Sequence, residues 1–105
     1  MDVPPGTIMR TWTGWIPTDR RDAYRDYIGD TGLADYLATP GNRGAWMAFR
    51  DLGDGRTEVT TVSLWESREA IVGFAGDDIE VARFYPEDDD FLIDRDLTVK
   101  HYDVV

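Results

Sequence analysis

The chain has no cysteine and one histidine, His101. Without a thiol, disulfides, thiolate catalysis and cysteine-zinc sites are excluded. A metal centre built on histidines is not expected either, because such a site draws on several ligands and no second imidazole exists. Positive charge is scarce: 11 Lys and Arg stand against 21 Asp and Glu, for a net charge of −10. No basic stripe is present to meet a phosphate backbone, so nucleic acid is not an expected partner. No run of about 18 apolar residues occurs, so no membrane span is expected. The opening MDVPPG lacks a basic region followed by an apolar stretch, and a cytoplasmic protein is the expectation. The nucleophile elbow GxSxG, the phosphate loop GxxxxGK[ST] and the dinucleotide fingerprint are all absent.

What is present suits one domain over residues 1–105. The chain is 42% hydrophobic and 12% aromatic, enough for a real core. A domain this small leaves much of its surface wet, so a partner subunit is a natural cover for leftover apolar faces. The acidic residues gather late, at Asp77-Asp78 and Glu87-Asp88-Asp89-Asp90, and read as a solvated face. PEDDDF does not meet the spaced-ligand pattern of a calcium loop.

Ile8 to Ile16 reads as a strand rich in Thr, Trp and Ile, stopped by Pro17. Thr18 or Asp19 starts a helix carrying Ala23, Tyr24, Tyr27 and Ile28 at helical spacing. Gly29-Asp30-Thr31-Gly32 is expected to interrupt it before a short piece with Leu33, Tyr36 and Leu37. Ala45 to Asp51 and Thr57 to Trp65 read as strands around a Gly53-Asp54-Gly55 hairpin turn. Ser67 is a plausible cap for a second helix whose apolar face is Ala70, Ile71, Phe74 and Ala75. Gly76 ends that helix, and Asp77 with Glu80 three residues later fits the start of a further helical piece. A short helix near Phe91-Leu92 and a last strand from Leu97 to Val105 complete the chain.

The order is β-α-β-β-α-β, an α+β, ferredoxin-like subunit. In the first strand Ile8, Arg10, Trp12, Gly14 and Ile16 share one face, and Met9, Thr11, Thr13 and Trp15 the other. The second strand divides Trp46, Ala48 and Arg50 from Ala45, Met47 and Phe49. Both faces hold large apolar groups, whereas a sheet with one wet face should be polar on that side. A homodimer packed through its sheet faces is therefore expected.

Several segments carry a resemblance. They are Met9-Arg10-Thr11-Trp12-Thr13-Gly14, Pro40-Gly41-Asn42-Arg43-Gly44, Leu64-Trp65-Glu66-Ser67, Phe74-Ala75-Gly76-Asp77, Ala82 with Tyr85-Pro86, and His101-Tyr102. In this order and spacing, over nearly the whole length, the chain resembles the antibiotic biosynthesis monooxygenase superfamily of dimeric α+β barrel proteins, and most of all a small bacterial branch of it. The resemblance implies a barrel dimer with a ligand pocket between each sheet and its own helices. It implies a cofactor-independent monooxygenase, or a related small-molecule enzyme, acting on an aromatic polyketide-like substrate. It also allows, as the alternative, a non-catalytic dimer that binds a small ligand or is purely structural. The haem-degrading branch places an Asn on the first strand and a Trp and a haem-ligating His on the second helix. Phe74 and Phe84 fall near the latter two positions here, and the first strand has no Asn, so no haem role is expected. Some close relatives carry a His directly after the first-strand Trp, where this chain has Thr13.

Within that frame His101 is the candidate general base, being the one side chain with an unperturbed pKa near neutrality, about 6.5. The commoner state of a lone histidine beside Val99 is a satisfied structural residue. Strand pairing places it near Arg10 or Trp12. Arg10, among apolar neighbours, needs a partner, either a substrate phenolate or carboxylate or an internal Asp. Arg83 is a similar candidate or a plain surface residue. Trp12, Trp65 and Phe74 are the expected substrate-binding walls, although aromatics of this kind are more often core or interface.

Overall fold

The computed structural model describes residues 3–105. Strand β1 (Ile8–Pro17) leads through a short 3₁₀ turn (Thr18–Arg20) into helix α1 (Arg21–Ile28). A π-helical turn, Gly29–Leu33, joins α1 to α2 (Ala34–Ala38). Strands β2 (Asn42–Asp51) and β3 (Arg56–Trp65) form a hairpin, followed by α3 (Arg68–Ala75), α4 (Asp88–Phe91), β4 (Asp94–Arg95) and β5 (Lys100–Asp103). The antiparallel sheet has the order β2-β3-β1-β4, with β5 also on β1. It is an α+β, ferredoxin-like arrangement, as the order of elements implies.

The hairpin turn forms where expected. Gly53 and Gly55 both take positive φ, and the Asp54 carboxylate accepts from the Arg56 amide. Ser67 caps α3 by accepting from the Ala70 amide at 3.1 Å. Gly76, at φ +87°, ends that helix.

Three expectations are corrected. The Gly29–Gly32 stretch does not interrupt the first helix. It widens the helix into a π turn, with the Thr31 hydroxyl bonded back to the Tyr27 carbonyl at 2.7 Å. No helix restarts at Asp77. The Asp78 side chain takes the Glu80 amide in a turn, and the backbone then pairs with the C-terminal chain. Ala82 donates to the Leu97 carbonyl, Val99 donates to that of Glu80, and Val81 bridges to Thr98. The last strand is shorter for the same reason: Asp96 still donates to Thr13 on β1, but residues 97–99 turn to this segment, so β5 begins only at Lys100 and β4 is a separate pairing.

The inner sheet face carries Arg10, Trp12, Ile16, Val59 and Trp65 under the helices. Two apolar clusters fill the space. One gathers Trp12, Ile16, Tyr24, Ile28, Val59, Phe91 and Val99; the other gathers Ile8, Tyr36, Trp65, Ile71 and Phe74. Among the described residues no helix is long and apolar enough to cross a membrane.

Candidate functional site

A small cavity, partly open to solvent, lies between the two clusters, between the sheet and its own helices. β1 supplies Arg10 and Trp12, and α1 supplies Tyr24. Tyr36 and Phe74 come from α2 and α3, while Arg83, Tyr85 and Asp88 come from the stretch after α3. The π turn brings Gly32 to the wall, where a Cβ would sit 3.8 Å from the Tyr85 ring.

Arg10 is 1% exposed. Register sets it beside Ser63 on β3 and His101 on β5. Its Nη1 donates to the Ile79 carbonyl and meets His101 Nε2 at 3.1 Å, and its Nη2 is 3.5 Å from the Val81 carbonyl. The irregular course of residues 76–83 thus has a role: it leaves these carbonyls free for a buried guanidinium. An arginine cannot accept a hydrogen bond, so His101 Nε2 must be the acceptor, and the imidazole is the neutral Nδ1-H form. Burial, and next the Arg10 charge, push the His101 pKa below its usual value. Its Nδ1 lies 3.3 Å from Glu80 Oε1 but is misaligned for a hydrogen bond.

Among the described residues no carboxylate stands within salt-bridge distance of Arg10, so the internal Asp partner is not what holds it. Neutral carbonyls and a neutral imidazole do. Burial draws the Arg10 pKa below the usual arginine range, with Tyr36 and Glu80 opposing. Its Nε has no partner at all. A buried cation with an unfilled donor beside a cavity is costly unless an anion completes it.

The walls are aromatic. Trp12 is anchored by its Nε1, which donates to the Asp96 carbonyl at 2.8 Å, and it meets Phe84 edge-on. Its ring lies across Gly14, where a Cβ would stand 2.5 Å from the indole. Phe74 packs on Tyr36 with ring centroids 4.2 Å apart. Arg83, more exposed, lies over the Phe74 and Tyr85 rings and donates to the Phe74 carbonyl, so it is a second cation on the wall.

The structure thus brings Arg10, Trp12, Phe74 and Arg83 to one cavity. Two expected site residues are elsewhere. His101 stands behind Arg10 rather than on the lining, because the β1–β5 register pairs it side by side with that residue. Trp65 is fully buried, its Nε1 donating to Ser63 Oγ, and packs among Tyr36 and Phe74 as core. The residue that sequence reasoning missed is Asp88, concealed in an acidic run read as solvated. It lines the cavity and is 3% exposed. The signal was its spacing: Asp88 and Phe91 are three apart, so one short helix turns both inward.

No family model matches the chain, and no curated protein matches it by sequence. Solved structures do. The structure named "Putative Antibiotic Biosynthesis Monooxygenase" from Bacillus cereus superposes with a TM-score of 0.65 at 19% identity, covering 93% of this chain and 92% of that one. A "putative antibiotic biosynthesis monooxygenase" from Nitrosomonas europaea gives 0.65 at 14% identity, covering 100% and 96%. Rv0793 from Mycobacterium tuberculosis gives 0.60 at 18%, covering 94% and 95%. The subunit fold of this chain is therefore that of the antibiotic biosynthesis monooxygenase-like proteins.

Proposed function

We propose that the cavity binds a weakly acidic aromatic small molecule, and that the protein is a cofactor-independent monooxygenase or a related enzyme acting on it. The observation that carries this reading is Arg10: a buried guanidinium with no carboxylate partner among the described residues and an unpartnered Nε, set in an aromatic-walled cavity. Arg10 stabilises the oxyanion formed when the ligand loses a proton, a service worth most where water is excluded. His101 fixes the guanidinium by accepting from it. Trp12 and Phe74 stack on the flat ligand, and Arg83 adds a second cation at the wall. In an anthrone-type reaction the carbanion attacks dioxygen. One oxygen becomes the ring carbonyl and the other leaves as water, so the methylene supplies all four electrons and no external reductant is needed. Two such subunits, joined through their outer sheet faces, make the working dimer.

The cavity is lined by Arg10 without His101, which also favours a second reading, a ligand-binding protein that catalyses nothing. Dithranol, a dihydroxylated anthrone, separates the two. Under the first reading it raises the melting temperature and is consumed with dioxygen uptake. Arg10→Met should weaken binding by about 1.5–3 kcal/mol, the worth of a hydrogen bond to a charged group. It should cut turnover on the order of a hundredfold or more. Binding without dioxygen uptake selects the second reading, and an unchanged Arg10→Met variant refutes both.

A further inference from the structure

The cavity has a second unfilled side. Asp88 Oδ2 accepts from the Tyr85 amide at 2.6 Å, but Asp88 Oδ1 is buried without a partner. The Tyr24 hydroxyl, on the same cavity wall, is also buried and unpartnered. The Tyr27 hydroxyl, off the lining, stands beside the Asp88 carboxyl and steadies its charged form. Buried polar atoms are nearly always satisfied, and Asp88 and Tyr24 carry unsatisfied ones side by side on one cavity wall. Arg10 and Asp88 stand on different sides of it. Arg10 faces Phe74 of one apolar cluster, and Asp88 adjoins Tyr24 of the other.

We propose that Asp88 is the proton acceptor of this cavity, taking the acidic hydrogen of a phenolic or activated-methylene ligand onto its carboxylate. This deepens, and rests on, the reading of the cavity as a site for weak acids. The ligand's C–H or O–H bond breaks heterolytically and an O–H bond forms on Asp88. The electron pair stays on the ligand as an oxyanion or its enolate, opposite the Arg10 charge. No oxidant takes part in this step.

The surroundings suit the role. Burial is the largest influence on the Asp88 carboxyl and raises its pKa, as does Asp89 on the same helix. The Tyr85 amide, Arg95 on β4 and Tyr27 on α1 oppose that rise. Tyr24, on α1, stays protonated, because burial and next Asp88 push its pKa far up, and Tyr27 is pushed up to about 12. The only group of this trio able to accept a proton near neutrality is therefore the carboxylate. A base whose conjugate acid lies nearer neutrality is the more effective catalyst.

The test isolates proton transfer from oxygenation. Dithranol is incubated in deuterated buffer under argon, and deuterium entering its methylene is followed by mass spectrometry. The wild type should accelerate this exchange over buffer, and the acceleration should fade as pH falls and Asp88 becomes protonated. Asp88→Asn, which keeps an acceptor for the Tyr85 amide, should slow exchange about a hundredfold or more while retaining the dithranol-induced melting shift. Asp90→Asn, an exposed neighbour on the same helix, should exchange like wild type. Exchange at wild-type rate in Asp88→Asn overturns the proposal, as does a wild type that binds dithranol without accelerating exchange. If Asp88→Asn does not fold, a wild-type exchange rate that is flat toward acid overturns it. A wild type with no melting shift removes the cavity reading and the proposal together. Exchange under argon without dioxygen uptake in air removes the oxygenase reading alone and leaves Asp88 its role.

Discussion

At the scale of single residues the most consequential contact is between Arg10 and His101. Two basic side chains meet at 3.1 Å, and the contact holds only while the imidazole is neutral. Its pKa is depressed in the folded protein, whereas the unfolded chain titrates near the ordinary value of about 6.5. Below that value the unfolded state binds the proton first. The stability that neutral His101 contributes is therefore complete above pH 6.5 or so and is lost as pH falls toward the depressed folded value. Asp88 works the other way at lower pH. Its raised carboxyl pKa means that the folded state takes up a proton before the unfolded one, so stability recovers as pH falls through that window. Comparing variants isolates the first effect. His101→Gln keeps an acceptor for Arg10 and removes the titration. Its melting temperature should fall less than that of wild type between pH 8 and pH 5, read by thermal denaturation at matched ionic strength. Equal slopes would mean that His101 does not stay neutral beside Arg10.

At the scale of elements, β1 couples the sheet to the cavity. Trp12 reaches the cavity wall because Gly14, two residues on and on the same face, leaves room for its ring. Gly14→Ala would drive a methyl into the indole, with Leu92 3.1 Å away on another side. The expected cost is about 1–3 kcal/mol of stability, as for other overpacked sites. A displaced Trp12 would also close the cavity, so the dithranol shift should vanish along with the stability. Urea unfolding and ligand titration of this one variant check both parts. The strands, the hairpin turn and the Ser67 cap were legible because alternation, Gly53-Asp54-Gly55 and a serine before an apolar helix are local signals. The segment after Gly76 was not. Asp77 and Glu80 have the spacing of a helix start, but strand-like pairing with residues 97–99 and the demand of Arg10 for carbonyls at Ile79 and Val81 override it. Both partners are remote in sequence. Of the site, Arg10 could be found as a cation amid apolar residues, and Trp12 and Phe74 as aromatics in phase with the core. Asp88 resembled its exposed acidic neighbours, and only its register with Phe91 set it apart.

At the scale of the whole molecule the sheet has two faces with different surroundings. The inner face and the helices border the cavity. The outer face carries Met9, Trp15, Val62, Trp46 and Tyr102, with Trp46 42% exposed. An isolated subunit would leave these apolar groups in water, and a second copy of the same face is the self-complementary cover that two-fold symmetry allows. Sedimentation at micromolar concentration should therefore give twice the 12.0 kDa chain mass. Trp46→Arg places like charges near the symmetry partner and should shift the species to the monomer. Because the proposed interface and the cavity lie on opposite sides of one sheet, the monomeric variant should still show an Arg10-dependent melting shift with dithranol, from a lower starting temperature. A wild type sedimenting as a 12.0 kDa species would remove the dimer. A Trp46→Arg monomer that folds but no longer binds would mean that the cavity depends on the partner subunit, and the division of labour between the two faces would be wrong.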